Sequence, residues 1–223
     1  MGMLNFTSLV LFPSLLHDLR GYPDNIIGML IAARGIGNWA AFLFIVQLTR
    51  AAPRLAVGCG LAIQAAGGFW MAQFDINLTE ADVFWSHFLM GLGQSVAFTP
   101  MTMIAFATLP RDQITEGSAV FTMMRNFGSS LFISMAVLVL VRSTAVNYAR
   151  MTEFIAPYRR ELTFHGLPES WNFESVTGLL RLSNEIHRQA AMIGYVNAFY
   201  LMAFTALAAL PLACLLRSGG RER

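Results

Sequence analysis

Residues 117–141, "GSAVFTMMRNFGSSLFISMAVLVLV", decide what kind of fold this sequence can form. The stretch is longer than the ~20 apolar residues that a helix needs to cross a bilayer. Yet Arg125 and Asn126 stand side by side inside it. An arginine at the centre of a membrane helix costs about 2.5–3.5 kcal/mol on insertion scales. Either this stretch is not a membrane span, or other groups hold Arg125 there.

The overall composition favours a membrane protein. The 223 residues are 56% hydrophobic and 13% charged, and the mean hydropathy is +0.55. A soluble domain has roughly 25% charged residues. We therefore predict an all-α integral membrane protein whose first partner is the lipid bilayer. A net charge of +2 gives no reason to expect a nucleic-acid partner.

The pattern of apolar runs predicts six transmembrane helices. Their lengths suit helices, and the period-two alternation of a membrane β-barrel is absent from the sequence. The first run is short and contains Pro13, so we expect a truncated span there. The predicted spans cover residues 1–16, 26–48, 55–74, 83–109, 117–141 and 189–216.

Arginine counts predict the orientation, because short cytoplasmic loops are enriched in basic residues. One side collects Arg50 and Arg54 in a predicted cytoplasmic loop, together with Arg111 and three arginines of the C-terminal tail. We expect a bacterial inner-membrane protein with a cytoplasmic C-terminus. The predicted organisation is five spans in 1–141, a long external polar and amphipathic connection in 142–188, the last span in 189–216 and a cytoplasmic tail in 217–223. We expect the fifth helix to continue into the connection as far as Pro157, and the last helix to start near Ser183 or Asn184.

Polar residues inside predicted spans are the functional candidates, because bilayers disfavour them. The cores of the predicted spans contain no Asp or Glu, so an arginine there must bond to amides, hydroxyls or carbonyls, face water, or meet an acid from elsewhere. Trp39, Phe98 and Phe121 are aromatic candidates for contact with an apolar substrate. The residues that we expect at a substrate cavity or domain interface are Arg34, Asn38, Gln94, Phe98, Arg125 and Asn126.

Small residues at four-residue spacing predict close helix–helix contacts, since small side chains let helix backbones approach. Gln64 and Asn197 are expected to form hydrogen bonds between helices, and Pro100 is expected to kink its helix. The residues predicted to pack helices together are Gly37, Gly60, Gln64, Gly68, Gly91 and Gly128.

The sequence lacks the common signatures of enzymes. The sequence has no GxSxG, no HExxH and no phosphate-binding loop, and we predict neither catalytic activity, nor a metal site, nor a cofactor. His87 has no second histidine at helical spacing, and we expect it to be a hydrogen-bonded residue at the membrane interface.

Three segments resemble a known family. The first is residues 9–39, "LVLFPSLLHDLRGYPDNIIGMLIAARGIGNW". The second is residues 88–136, from "FLMGLGQSVAFTP" to "MMRNFGSSLFISMA", and the third is residues 182–217, "LSNEIHRQAAMIGYVNAFY" onward. All three are similar to the fourteen-span, EmrB/QacA-like drug:proton antiporters of the major facilitator superfamily. Their order and spacing match the C-terminal half of that family. Ala33 and His17 depart from its usual proline and glutamine.

The resemblance implies a six-helix bundle that forms one half of a major facilitator fold. It implies proton-coupled efflux of hydrophobic or amphipathic small molecules, with this chain supplying the C-terminal half of the substrate cavity. The missing N-terminal half, or a second copy of the chain, is then an expected partner. The alternative is a stand-alone six-span subunit or channel-like homodimer without antiport activity. The sequence does not identify the substrate or the coupling ion.

Overall fold

Buried residues recur every three or four positions along the long helices of this protein. The computed structural model describes residues 2–107, 109–154 and 175–215. On α2 (Asp24–Ala51), Ala33, Gly37 and Ala41 are buried on one face, as the helical period of 3.6 residues requires. The other helices are α1 (Gly2–Ser14), α3 (Pro53–Met71), α4 (Glu80–Phe106), α5 (Ile114–Phe154) and α6 (Val176–Leu215).

Short irregular turns join these helices. A π-helical turn, Leu15–Leu19, continues α1, and a 3₁₀ turn, Arg111–Gln113, leads into α5. Only Ala52 separates α2 from α3, and Pro53 occupies the first turn of α3, where its missing N–H does no harm.

Helix neighbours in space are mostly not neighbours in sequence. The most extensive contact joins α2 to α4, α4 also packs on α3, and α6 packs on both α3 and α5, while α1 contacts α5. The Phe12 ring lies 5.2 Å from the Phe199 ring and 4.3 Å from the His87 ring. This cluster ties α1, α6 and α4 together in the core.

Glycines allow the closest of these approaches. A Cβ atom on Gly37 would collide with the Phe88 carbonyl, and one on Gly91 would collide with the Arg34 carbonyl. Both positions lie in the contact between α2 and α4. Gly60 faces Ala97 of α4 in the same way, and a Cβ on Gly68 would lie 3.0 Å from Ala203 of α6.

Four helical segments are long and apolar enough to cross a membrane: Asp24–Ala51, Glu80–Phe106, Arg111–Phe154 and Val176–Ala213. The prediction of an all-helical membrane protein is thereby confirmed at the level of fold class. Helix α1 is short, and many of the 19 residues of α3 are Gly or Ala. These two segments do not meet the same length and hydropathy requirements, so six spans remain a proposal.

Helices α5 and α6 both extend into the predicted connection, α5 as expected and α6 further than expected. Helix α5 continues to Phe154 without a break, and α6 begins at Val176, whereas the sequence pointed to a start near Ser183 or Asn184. The start is earlier because Ser175 caps the helix: its hydroxyl accepts a hydrogen bond of 3.0 Å from the Gly178 N–H. The predicted cytoplasmic tail, 217–223, lies outside the described residues.

Candidate functional site

Arg34 is anchored between three helices by uncharged groups. Its Nε donates to the Gln94 Oε1 at 3.1 Å, which joins α2 to α4. Its Nη1 donates to the Ser8 hydroxyl at 2.8 Å, which joins α2 to α1. The side chain is only 5% exposed. An amide and a hydroxyl therefore hold a positive charge inside the bundle, as the lack of nearby acids in the sequence suggested.

A second polar contact lies one turn further along the same two helices. The Ser95 hydroxyl donates to the Asn38 Oδ1 at 3.1 Å. Arg34 and Asn38 lie on the same face of α2, since residues four apart share a helix face, and they bond to the consecutive residues Gln94 and Ser95 of α4. Three of the predicted cavity residues, Arg34, Asn38 and Gln94, are thus brought together.

Arg125 lies at a second contact, between α4 and α5. Its guanidinium carbon is 5.8 Å from the centre of the Phe98 ring, a geometry that attracts a cation to an aromatic face. Phe121 lies 6.2 Å from Phe98 and 5.6 Å from Phe106, measured between ring centres. The Arg125 Nε is buried and has no hydrogen-bond acceptor among the described residues.

The face of α4 that carries Gln94 and Phe98 connects the two contacts. These residues are four apart, so they lie one above the other on the helix. Gln94 binds Arg34, and Phe98 lies under Arg125. Five of the six predicted cavity residues, all except Asn126, therefore form two neighbouring clusters that share one helix face.

The remaining predicted residues of α5 are less enclosed. Asn126 is exposed, although it lies in a span, and Gly128 is half-buried. Ser129 is buried, and its hydroxyl donates to the Arg125 carbonyl at 2.7 Å. Such a bond to the preceding turn satisfies a hydroxyl within an apolar helix.

Other predicted residues lie away from these clusters. Gln64 is 2% exposed on α3, and a Cβ on Gly93 of α4 would approach its side chain to 3.0 Å. Arg50 and Arg54 are exposed on either side of the joint between α2 and α3. Asn197 links α6 to α5 by donating to the Ser143 hydroxyl at 2.6 Å.

His87 does not lie where the sequence suggested. It is fully buried against Phe12, and neither ring nitrogen has a hydrogen-bond partner among the described residues. The expectation of a hydrogen-bonded interfacial histidine was wrong, because Phe12 and its neighbours close over the ring. Ser8 was not among the predicted site residues. Its only indication in the sequence is the polar pair Thr7–Ser8 inside an apolar run.

Long apolar helices with a few enclosed polar side chains define an integral membrane protein of the helical-bundle class. Arginines and amides at bilayer depth mark the positions where such proteins meet water, substrate or another polypeptide. In the described part of the chain, no group of three or more His, Cys, Asp or Glu residues is arranged to hold a metal ion.

Similarity to proteins of known role extends along most of the chain. The multidrug export protein EmrB of Escherichia coli K12 is 24% identical over 86% of this chain and 40% of its own length. The fatty acid resistance protein FarB of Neisseria gonorrhoeae is 24% identical over 98% of this chain and 44% of its own length. The colistin resistance protein EmrB of Acinetobacter baumannii is 22% identical over 89% and 42%, respectively.

No protein-family profile matches the chain. The resemblance indicated by the motifs is nevertheless confirmed by these export and resistance proteins: the chain is similar to EmrB-like drug efflux proteins along most of its length. It spans about two-fifths of the length of these curated relatives.

Proposed function

We propose that this chain is the C-terminal six-helix bundle of a secondary active transporter that exports hydrophobic or amphipathic small molecules in exchange for protons. The observation that carries the proposal is the similarity to export proteins along 86–98% of the chain. In this proposal the bundle supplies one half of the substrate cavity, and a second bundle supplies the other.

The six-span arrangement adds α1 and α3 to the four candidate spans. Helix α1 and its π-helical turn contain 13 and 5 residues, which at 1.5 Å per residue extend roughly 27 Å. Helix α3 has 19 residues and extends about 28 Å. Both lengths are close to the ~30 Å thickness of the hydrocarbon core. Because α1 and α3 pack against the longer helices, they need less apolar surface than a span surrounded by lipid.

Helix α5 supports the proposal of a second bundle. Of its 41 residues only Ser129, Phe132 and Ala136 are buried. Its exposed surface is not purely apolar, because Asn126 is exposed and Arg125 is half-buried. A polar amide at bilayer depth is disfavoured against lipid and normally faces protein or water. This surface therefore suits a protein partner or a wet cavity better than acyl chains.

Arg125 is the residue we assign to coupling between the two halves. Its Nε has no hydrogen-bond acceptor among the described residues, and its guanidinium lies over the face of the Phe98 ring. A carboxylate from the partner bundle would complete this group with a charge-assisted hydrogen bond. Arg34, by contrast, is held by Gln94 and Ser8 within this chain, so we assign it to keeping α1, α2 and α4 together beside the cavity.

Transport would follow from rocking of one bundle against the other around a site near the bilayer midplane. Asn38, Gln94 and Phe98 would then offer an amide-and-aromatic wall with few fixed charges. Such a wall binds varied apolar molecules weakly enough to release them.

A dye-efflux experiment tests the proposal. Cells lacking their own efflux pumps would express this chain alone, the proposed N-terminal half of eight spans alone, or both, and the export of a fluorescent lipophilic cation would be followed. We expect export only with both halves, and its loss when an uncoupler collapses the proton gradient. Export by this chain alone would favour the homodimer instead.

The substitution Arg125→Ala, made in cells that express both halves, tests the proposed role of this residue in export. We expect export to fall at least tenfold while membrane expression is unchanged, because the charge offered to the partner is lost. Arg111→Ala, at an exposed arginine of the neighbouring turn, is the control and should export normally. Equal export by the two variants would remove Arg125 from the proposed site.

A further inference from the structure

A cleft of about 690 Å³ opens between the start of α3 and the end of α6, away from the clusters around Arg34 and Arg125. From α3 it is lined by Leu55, Gly58, Cys59 and Ala62, and Leu210 and Pro211 of α6 face them. Small residues on α3 give the cleft its depth. Pro211 lies inside α6.

Among the residues that the structure describes, one charged side chain lies at this otherwise apolar cleft. Arg54 is exposed and contributes to the lining, while no Asp or Glu lines it among the described residues. The first turn of α3 adds to the positive potential, because no side chain caps it and helix N-termini attract anions. An apolar cleft with a cation at one end matches a molecule that has a long apolar tail and an anionic head.

The cleft lies at the end of α6, a candidate membrane span, and of α3, which we propose as a further span; lipid headgroups meet acyl chains at such helix ends. Basic residues beside clefts between membrane helices are recognised binding sites for anionic headgroups. Its volume is also within the roughly 300–1,000 Å³ of pockets that enclose small-molecule ligands.

We infer that this cleft is a binding site for an anionic phospholipid, with one acyl chain between α3 and α6 and the headgroup phosphate on Arg54. The acyl chain fills space that Gly58 and Ala62 leave open. The guanidinium of Arg54 donates to the phosphate oxygens, for which its planar donor fork is well suited. The inference does not depend on transport, because it involves neither Arg34 nor Arg125.

Native mass spectrometry of the full chain in detergent tests the inference. The protein would be incubated with phosphatidylglycerol or with phosphatidylcholine carrying the same acyl chains. We expect one molecule of phosphatidylglycerol to be retained at least tenfold more strongly than phosphatidylcholine. Equal retention of the two lipids would contradict a role for charge at this site.

Two arginine variants test the contact with the lipid headgroup. Arg54→Gln should lower retention of phosphatidylglycerol to the level of phosphatidylcholine. Arg50→Gln is the matched control, since Arg50 is an exposed arginine near the same joint that does not line the cleft, and it should retain the lipid as the wild type does. Equal losses in both variants would reveal general attraction to a basic surface and overturn the inference.

Gly58→Leu tests the acyl-chain part without breaking the fold. A Cβ on Gly58 meets nothing within 4 Å, so a larger side chain enters the cleft instead of clashing with a backbone. We expect this variant to elute as the folded protein in size-exclusion chromatography and to retain neither lipid at the strong site. Undiminished lipid retention by Gly58→Leu, or a lipid-free dimer in the wild-type spectrum, would show that the cleft is not a lipid site.

Discussion

Arg34 brings a positive charge into the contact between α1, α2 and α4, where the Gln94 amide and the Ser8 hydroxyl accept hydrogen bonds from it. Its bonds to Gln94 and Ser8 are each made across a helix–helix contact. Removing one acceptor leaves a buried donor with less compensation, which costs about 1–3 kcal/mol.

The first prediction concerns Gln94→Leu. We expect the apparent melting temperature in detergent to fall, because the Arg34 Nε loses its acceptor while the charge stays buried. Gln113→Leu, at an exposed glutamine of the 3₁₀ turn, should leave the melting temperature nearly unchanged.

The double variant Arg34→Met with Gln94→Leu sharpens this test. Replacing both partners by apolar side chains removes the buried charge as well as its acceptor, and such replacements are often close to neutral. We therefore expect the double variant to melt above Gln94→Leu alone. Additive destabilisation would indicate that the bond between Arg34 and Gln94 contributes little.

The second prediction concerns the glycines of α2. Gly37→Ala should destabilise the bundle by about 1–3 kcal/mol, as overpacking does, because its Cβ would collide with the Phe88 carbonyl. Gly35→Ala is the matched control on the same helix, since a Cβ there meets nothing within 4 Å. Thermal unfolding of both variants in detergent measures the difference, and similar melting temperatures would contradict the close approach of α2 to α4.

At the residue scale, sequence reasoning found the types of group that hold Arg34 but not all of their positions. Gln94 was a candidate because amides are rare inside membrane spans. Ser8 was missed and His87 was misplaced, since both depend on how α1 packs, and a short apolar run does not specify which helices it touches.

Among the helices, α4 has the best-defined start. The Thr79 hydroxyl accepts a hydrogen bond from the Asp82 N–H, and the Asp82 carboxylate accepts one from the Thr79 N–H. This reciprocal pair is a capping box, which satisfies N–H groups that the first helical turn leaves free.

The third prediction follows from this cap. Thr79→Ala should cost about 1 kcal/mol and speed hydrogen exchange in the first turn of α4, while exchange in the middle of the helix is unchanged. Thr115→Ala, at the exposed start of α5, serves as a control. Unchanged protection of residues 80–83 in Thr79→Ala would show that the capping box does not hold this turn.

Helix ends were the least predictable elements. The apolar period located α2 and α4 closely, because their buried faces alternate with exposed ones. The start of α6 was predicted about two turns too late. Several residues after Ser175 are polar, and the Ser175 cap and packing on α5 support the first turns of α6. Polar helical turns of this kind carry little hydrophobic pattern.

The whole bundle has two distinct ends. The Arg20 Nη1 donates to the Ile76 carbonyl at 2.9 Å, so the turn after α1 and the turn after α3 lie at the same end. The joint with Arg50 and Arg54 follows the opposite end of α2. This arrangement agrees with the asymmetry of arginines in the sequence.

The fourth prediction concerns orientation. If the arginine-rich end is cytoplasmic, as we propose from the positive-inside rule, green fluorescent protein fused after Arg223 will fluoresce. Alkaline phosphatase fused at the same position will be inactive, because it folds only outside the cytoplasm. The reverse pair of results would invert the proposed topology.

The proposed pairing with a second bundle could not be predicted from residue patterns alone. The run around Arg125 indicated that something must accompany the arginine, but only the structure shows that α5 has so few buried residues and that Asn126 is exposed. Family resemblance, rather than periodicity, supplied the expectation of a companion half.

One measurement tests the central claim most directly: the mass of the complex that this chain forms in a membrane. The chain and an affinity-tagged companion bundle would be co-expressed, extracted together in mild detergent and weighed by native mass spectrometry. We predict a one-to-one complex in which Asn126→Leu preserves the pairing and Asn126→Arg, which buries a second charge in the contact, weakens it. A chain that remains alone, or that forms only dimers with itself, would contradict the account.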